Sequence, residues 1–225
     1  MCIRDSFKRR AGLKAVVIGG TGLTGQSLVR NLSKNHEVVV LSRRDYVFPN
    51  SVKQILVDFD EDFDVPHCDH LFLCHGYPVE LIDLVFFRKK NRLPFLKVDY
   101  EITKKIISKA SEAEIRNISY ISAVGANKKS LNFYLKTKGL VENSLAESNF
   151  ESVNIFRPSH LLGKRDKKID FLTRIFELIT NFSGLFLFGP FKKYKNIDAN
   201  KLSLAMIKFS LFDNKGLKKL EFKDF

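Results

Sequence analysis

Cysteine is scarce in this chain: Cys2, Cys68 and Cys74 are the whole supply. Their spacing suits neither a disulfide framework nor a zinc site. Cys68 and Cys74 flank an expected strand and are expected to be reduced, partly buried thiols, which fits a cytoplasmic protein. His36, His67, His70, His75 and His160 are scattered without metal-ligand spacing, so no metal is expected. No apolar run is long enough to span a bilayer, which excludes integral membrane association. The aromatic stretch 182–191 is short, is broken by Gly184, Gly189 and Pro190, and reads as packing over a substrate side. No secretory leader, GxSxG nucleophile elbow, internal repeat or low-complexity linker is read in the sequence.

Acidic residues are also in deficit, with 25 Asp and Glu against 38 Lys and Arg, giving a net charge of +13. Such a balance favours anionic partners. Basic clusters at 8–10, 88–92 and 164–168 lack any helix-turn-helix, zinc-finger or RNP-type context, so a nucleic-acid partner is not expected. The 225 residues suit one domain. It is expected over 14–225, with a small substrate-side portion over about 157–225. Residues 1–13 read as a tail, and the first six as either a tail or a non-native extension.

What is present is an alternation. Lys14–Gly19 (KAVVIG) reads as a buried strand and is followed by a glycine turn. An amphipathic helix over 24–34 has Leu28, Val29 and Leu32 inward. Further strands are expected at 37–41, 53–57, 70–74, 115–121 and 152–156. Helices are expected at 99–110, 134–146, 171–179 and 199–211. Strands alternating with helices imply βαβ units: an α/β, Rossmann-type, doubly wound and mostly parallel sheet with helices on both faces. Its ligand crevice lies at the carboxyl ends of the strands.

The turn is Gly19-Gly20-Thr21-Gly22-Leu23-Thr24-Gly25. Glycine serves a tight turn, a close approach to pyrophosphate and close helix–strand packing, while the helix N-terminus offers N–H groups to phosphate. Gly19, Thr21, Gly22, Leu23, Thr24 and Gly25 are therefore the expected dinucleotide contacts. The second strand ends in Ser42-Arg43-Arg44, where an NAD site usually carries an acid. Two guanidinium groups suit a 2′-phosphate, so NADP(H) is favoured over NAD(H), with Arg43 and Arg44 as its readers. Asp58 is either a partner of the adenine amino group or a turn residue.

Ser122 closes a strand, Tyr134 lies twelve residues on, and Lys138 stands one helical turn beyond Tyr134. A nearby ammonium makes a phenol a usable acid or base. The lysine also suits the nicotinamide ribose, and the serine a substrate carbonyl. A YxxxK pair alone is weak, since roughly 0.7 matches arise by chance in such a chain. The upstream serine at a strand end strengthens it.

These motifs resemble the short-chain dehydrogenase/reductase superfamily, in its atypical Tat-interacting-protein-like oxidoreductase branch. The resemblance runs from about Lys14 to Leu211. It rests on GGTGLTG at 19–25, LSRR at 41–44, VDY at 98–100, ISAVGANKKSLNFYLKTKG at 121–139, FRPSHLLGKR at 156–165 and GPFKKYKNI at 189–197. It implies a Rossmann fold, NADP(H) as the usual ligand, and active-site roles for Ser122, Tyr134 and Lys138. It also implies that 157–163 closes over the nicotinamide, with Pro158 and Ser159 near the cofactor. Relatives often carry a Gly-Thr-Thr type turn after the fourth strand. Here it is Cys74-His75-Gly76-Tyr77. Cys74 and Gly76 are counted as cofactor contacts, and His75 as a pocket residue rather than a catalyst.

The expected function is an oxidoreductase, or an epimerase-like enzyme, acting on a small carbonyl or alcohol with Tyr134 as acid/base. The alternative is a non-catalytic NADP(H)-binding regulatory or assembly protein. Monomer and homodimer both remain open.

Overall fold

The computed structural model describes residues 12–80, 83–84, 87–162, 195–212 and 215–225. The helix expected at 171–179 and the aromatic stretch 182–191 lie outside them.

Seven strands form one all-parallel sheet: β1 (Lys14–Ile18), β2 (Glu37–Ser42), β3 (Val52–Leu56), β4 (His70–Leu73), β5 (Asn117–Ile121), β6 (Ser152–Phe156) and β9 (Gly216–Leu220). Their spatial order is β3-β2-β1-β4-β5-β6-β9. A small parallel pair, β7 (Leu161–Leu162) and β8 (Ile197–Asp198), stands apart from that sheet. The helices are α1 (Leu23–Leu32), α2 (Lys89–Leu96), α3 (Ile102–Glu112), α4 (Phe133–Ala146) and α5 (Ala199–Leu211). A π-helical turn, Lys97–Glu101, joins α2 to α3.

The two faces of the sheet carry separate cores, as the two-residue period of a strand dictates. Val16 and Ile18 of β1 pack with Ile102, Ile106, Val141 and Leu145 of α3 and α4. Ala15 and Val17 pack with Leu28, Leu32, Leu202 and Met206 of α1 and α5. β1, β2 and β4 are therefore buried on both sides, which is why they read as nearly continuous apolar runs. α1 and α5 are also tied by Asn31, whose amide donates to Asn200 Oδ1 at 2.8 Å and to Ser203 Oγ at 3.0 Å.

α5 starts on a side-chain cap. Asp198 accepts from the N–H groups of Asn200 (2.9 Å) and Lys201 (3.2 Å). Asp198→Ala is expected to destabilise the protein by about 1 kcal/mol, the usual cost of an N-cap. A urea melt with an unchanged slope would report it.

Besides the β7–β8 pair, which was not expected, three elements differ from expectation. β9 (GLKKL) is an edge strand with lysines, a pattern that discourages edge pairing and hides the strand from an apolar-run search. α2 contains Pro94 and buries only Phe95, so its sequence looks like a basic loop. Helical structure is expected to begin at Asp99; instead the chain is already helical from Lys89 and widens into the π turn there.

β1 has β2 on one side and β4 on the other, and the connections run outward from this point. Such a switch point opens a crevice at the carboxyl ends of the strands. The turns after β1 and β4 face each other across it.

Candidate active site

Gly19 has φ +84°, a conformation suited to glycine, and a Cβ there would overlap the backbone of Cys74 and His75. A Cβ on Gly25 would strike the Gly19 carbonyl. The loop is closed by the Gly22 N–H donating to the Gly19 carbonyl at 3.0 Å. The first turn of α1 has Gly22 as its N-cap and no side-chain cap. Its leading N–H groups are thus available to an anion. Thr24 adds a buried hydroxyl with no hydrogen-bond partner among the described residues. A bare backbone cradle, an uncapped helix start and an orphaned hydroxyl fit a pyrophosphate-bearing cofactor.

Beyond β2, the Arg43-Arg44 turn is held by Gln54, whose amide donates to Ser42 Oγ (2.7 Å) and to the Arg44 carbonyl (2.8 Å). Both arginines are exposed and neither forms an ion pair with a carboxylate among the described residues. Asp58 is exposed and accepts the Asp60 N–H at 2.9 Å.

After β4, Cys74 continues the ladder by donating its N–H to the Ile18 carbonyl at 2.8 Å. Burial pushes its thiol well up, and pushes that of Cys68 up to about 12, so neither is a ready nucleophile. His75 Nε2 lies 2.8 Å from Thr103 Oγ1, and Nδ1 is buried without a partner. Burial lowers His75 to about 4; Asp99 opposes this, while Lys138 and Arg43 reinforce it. The ring is neutral at neutral pH. Gly76 sits beside Asp99: a Cβ there would meet Asp99 Oδ1 at 3.4 Å.

The Tyr134–Lys138 pair stands on α4, whose N-cap Asn132 accepts the Leu135 N–H at 3.0 Å. Asn132 also donates to the Leu84 carbonyl at 2.7 Å, fixing the helix start. The Tyr134 ring packs on Phe95 with centroids 5.6 Å apart, next to Phe87 and Phe133. Lys138 is buried and pairs with Asp99 at 2.8 Å. Its ammonium also lies 5.1 Å from the centre of the Tyr120 ring. Burial opposes the Lys138 charge, but Asp99, Tyr120 and Tyr134 outweigh it and hold the group well above the usual lysine value. Burial raises Tyr134; Lys138 pulls it down and Asp99 pushes it up, and the net direction is upward.

Ser122 is placed differently from the other two. Its hydroxyl donates to Glu142 Oε1 at 2.6 Å, on the side of α4 that Arg157 also reaches. Glu142 is buried and is held by Arg157, including an Nε contact of 2.8 Å, and by Lys219 at 3.3 Å. The hydroxyl expected to orient a carbonyl is thus committed to a buried ion pair. Pro158 is buried and accepts the Val124 N–H at 2.9 Å, tying the segment after β6 to the one after β5. Ser159 follows it, partly buried.

Asp99 lies within the VDY motif at 98–100, but its pairing with Lys138 was not read from the sequence. The signal was present in Lys138 itself. It shares a helical face with Val141 and Leu145, and a buried ammonium requires a buried acid.

No family model matches the chain. It is 36% identical over 169 residues to "Protein FMP52, mitochondrial" of Lodderomyces elongisporus, covering 69% of this chain and 70% of that protein. It is 28% identical over 173 residues to "Protein HTATIP2" of Rattus norvegicus, covering 73% of this chain and 69% of that protein. Among solved structures, it resembles UDP-N-acetylglucosamine 4-epimerase from Methanobrevibacter ruminantium in complex with UDP-N-acetylmuramic acid. That match has a TM-score of 0.69 and 17% identity, over 94% of this chain and 77% of that one. It also resembles the Bordetella bronchiseptica enzyme WbmG in complex with NAD, with a TM-score of 0.63 and 13% identity, over 95% and 74% of the two chains. The cytoplasmic location expected from the sequence is overturned, because FMP52 relatives are named mitochondrial. Free thiols separate reducing from oxidising compartments and do not separate cytosol from mitochondrion.

Proposed function

Because the chain belongs to the FMP52 and HTATIP2 family of atypical short-chain dehydrogenase/reductase proteins, we propose that it is a mitochondrial NADP(H)-dependent oxidoreductase of a small carbonyl or alcohol. The carrying observation is the glycine cradle seated against Cys74 and His75 at the switch point, with the uncapped start of α1 behind it. Gly19, Gly22, Thr24 and Gly25 would hold the pyrophosphate, and Arg43 and Arg44 the 2′-phosphate. When bound, the nicotinamide supplies or accepts a hydride. The chain's own share is the proton: Tyr134 gives it to, or takes it from, the substrate oxygen, with Lys138 beside it. Phe95 and Phe133 keep water from the phenol's apolar side.

The test is a calorimetric titration of NADPH and NADH against wild type and Arg43→Ala. NADPH is expected to bind more tightly than NADH. Arg43→Ala should weaken NADPH by about ten-fold or more, the worth of one charge-assisted phosphate contact, and leave NADH almost unchanged. Failure of both nucleotides to bind would sink the reading.

A second reading has one observation in its favour. With Ser122 committed to Glu142, the site lacks a free carbonyl-orienting hydroxyl from that residue. A cofactor-binding regulatory or assembly protein would show tight NADPH binding without turnover of any carbonyl.

A further inference from the structure

The fold brings one acid into the centre of this site. The π turn at Lys97–Glu101 shifts the helical register and directs Asp99 inward, where it is 2% exposed. Widened turns of this kind recur at functional positions. Its two oxygens have separate partners: Oδ1 faces the Lys138 ammonium at 2.8 Å, and Oδ2 accepts the Tyr77 N–H at 2.6 Å. The backbone after β4 therefore fixes the carboxylate, and the carboxylate fixes the lysine. Thr103, one turn further along, donates to the Asp99 carbonyl at 3.1 Å and braces the same turn. The charged and titratable groups facing the Asp99–Lys138 pair are Tyr134 from α4, Tyr120 from β5 and His75 after β4, and Arg43, from beyond β2, acts in turn on His75.

A lone ammonium one helical turn from a phenol would favour the phenolate. An ammonium paired at 2.8 Å with a buried carboxylate presents little net charge to it. We propose that Asp99 is a positioning residue that holds Lys138 in place and keeps Tyr134 as the neutral phenol, fitting the site to deliver a proton to a carbonyl oxygen rather than to take one from an alcohol. This rests on the oxidoreductase reading above. In the reductive direction the carbonyl carbon gains a hydride from a reduced nicotinamide nucleotide. The oxygen gains the Tyr134 proton as the C=O π bond breaks, and the phenolate recovers a proton from solvent.

The test needs neither cofactor nor substrate. Full-length protein carrying 13Cζ-tyrosine is titrated by NMR, with Tyr134 assigned from Tyr134→Phe. In wild type, Tyr134 should titrate above the ordinary tyrosine value of about 10. In Asp99→Asn the midpoint should fall by about one pH unit or more, and Asp99→Glu should restore it. The double variant Asp99→Asn/Lys138→Gln buries no unpaired ion and stands in if the single variant does not fold. It should titrate within about half a pH unit of wild type, because the two removed charges cancel at the phenol. An unmoved midpoint in Asp99→Asn, or a rise of about one unit or more in the double variant, overturns the proposal. A shift seen in a protein that binds no nicotinamide nucleotide would instead sink the oxidoreductase reading and leave the role of Asp99 standing.

Discussion

Gly19→Ala is expected to destabilise the protein by about 2–5 kcal/mol and to abolish NADPH binding. Two costs add. A non-glycine residue at φ +84° carries about 1–2 kcal/mol of left-handed strain. The new methyl also enters space filled by the backbone of Cys74 and His75. Backbone cannot rotate away as a side chain can, and forced overpacking costs about 1–3 kcal/mol. The control is Gly216, with φ +86° and nothing within 4 Å of a built Cβ. Gly216→Ala should cost only the strain, about 1–2 kcal/mol. Urea denaturation of the two variants separates the contributions. If Gly19→Ala costs no more than Gly216→Ala, the close approach of the two turns is not what the glycine serves. The same displacement widens the cradle, so binding should fail even where the variant stays folded at low temperature.

What could be read beforehand follows from burial. β6 has five consecutive buried residues and runs over the expected 152–156, although Ser152 and Asn154 interrupt its apolar residues. α1 showed its inner face through Leu28, Val29 and Leu32, because one side of it meets solvent and the other meets β1 and β2. The glycine turn was legible because close backbone approach leaves no other residue type free to occupy it. The unread parts are those decided by distant partners. Lys89–Leu96 has little helical character of its own, and Phe95, buried among Phe87, Phe133 and Tyr134, gives it its place. β9 exists because β6 offers it an edge. Ser122 looked like a substrate contact by spacing, yet spacing cannot show which way a hydroxyl turns, and Glu142 lies within its reach. Asp99 was visible as a residue but not as a partner, since the π turn that aims it inward has no sequence signature in this pattern.

Tyr134→Phe is expected to lower turnover of any carbonyl substrate by about 10²–10⁴-fold, the usual worth of a positioned acid or base. NADPH affinity should stay within about two-fold of wild type, because the lost atom is one hydroxyl oxygen and Lys138 remains paired with Asp99. The ring's contact with Phe95 is kept, since only the hydroxyl oxygen is removed. Stability should therefore change by less than about 1 kcal/mol. That separation makes the variant informative: a structural tyrosine would alter melting and leave the rate in proportion to folded protein, whereas an acid alters the rate alone. The pH dependence adds a second signature. Burial displaces Tyr134 upward; Lys138 pulls it down, Asp99 pushes it up, and the net direction is upward. The phenol therefore persists across neutral pH, and reduction should hold its rate there and decline only as alkaline pH ionises the group. Alcohol oxidation, which needs the phenolate, should rise over the same alkaline range. Unchanged turnover in Tyr134→Phe would remove Tyr134 from the chemistry, while the cofactor cradle, which it does not touch, would stand.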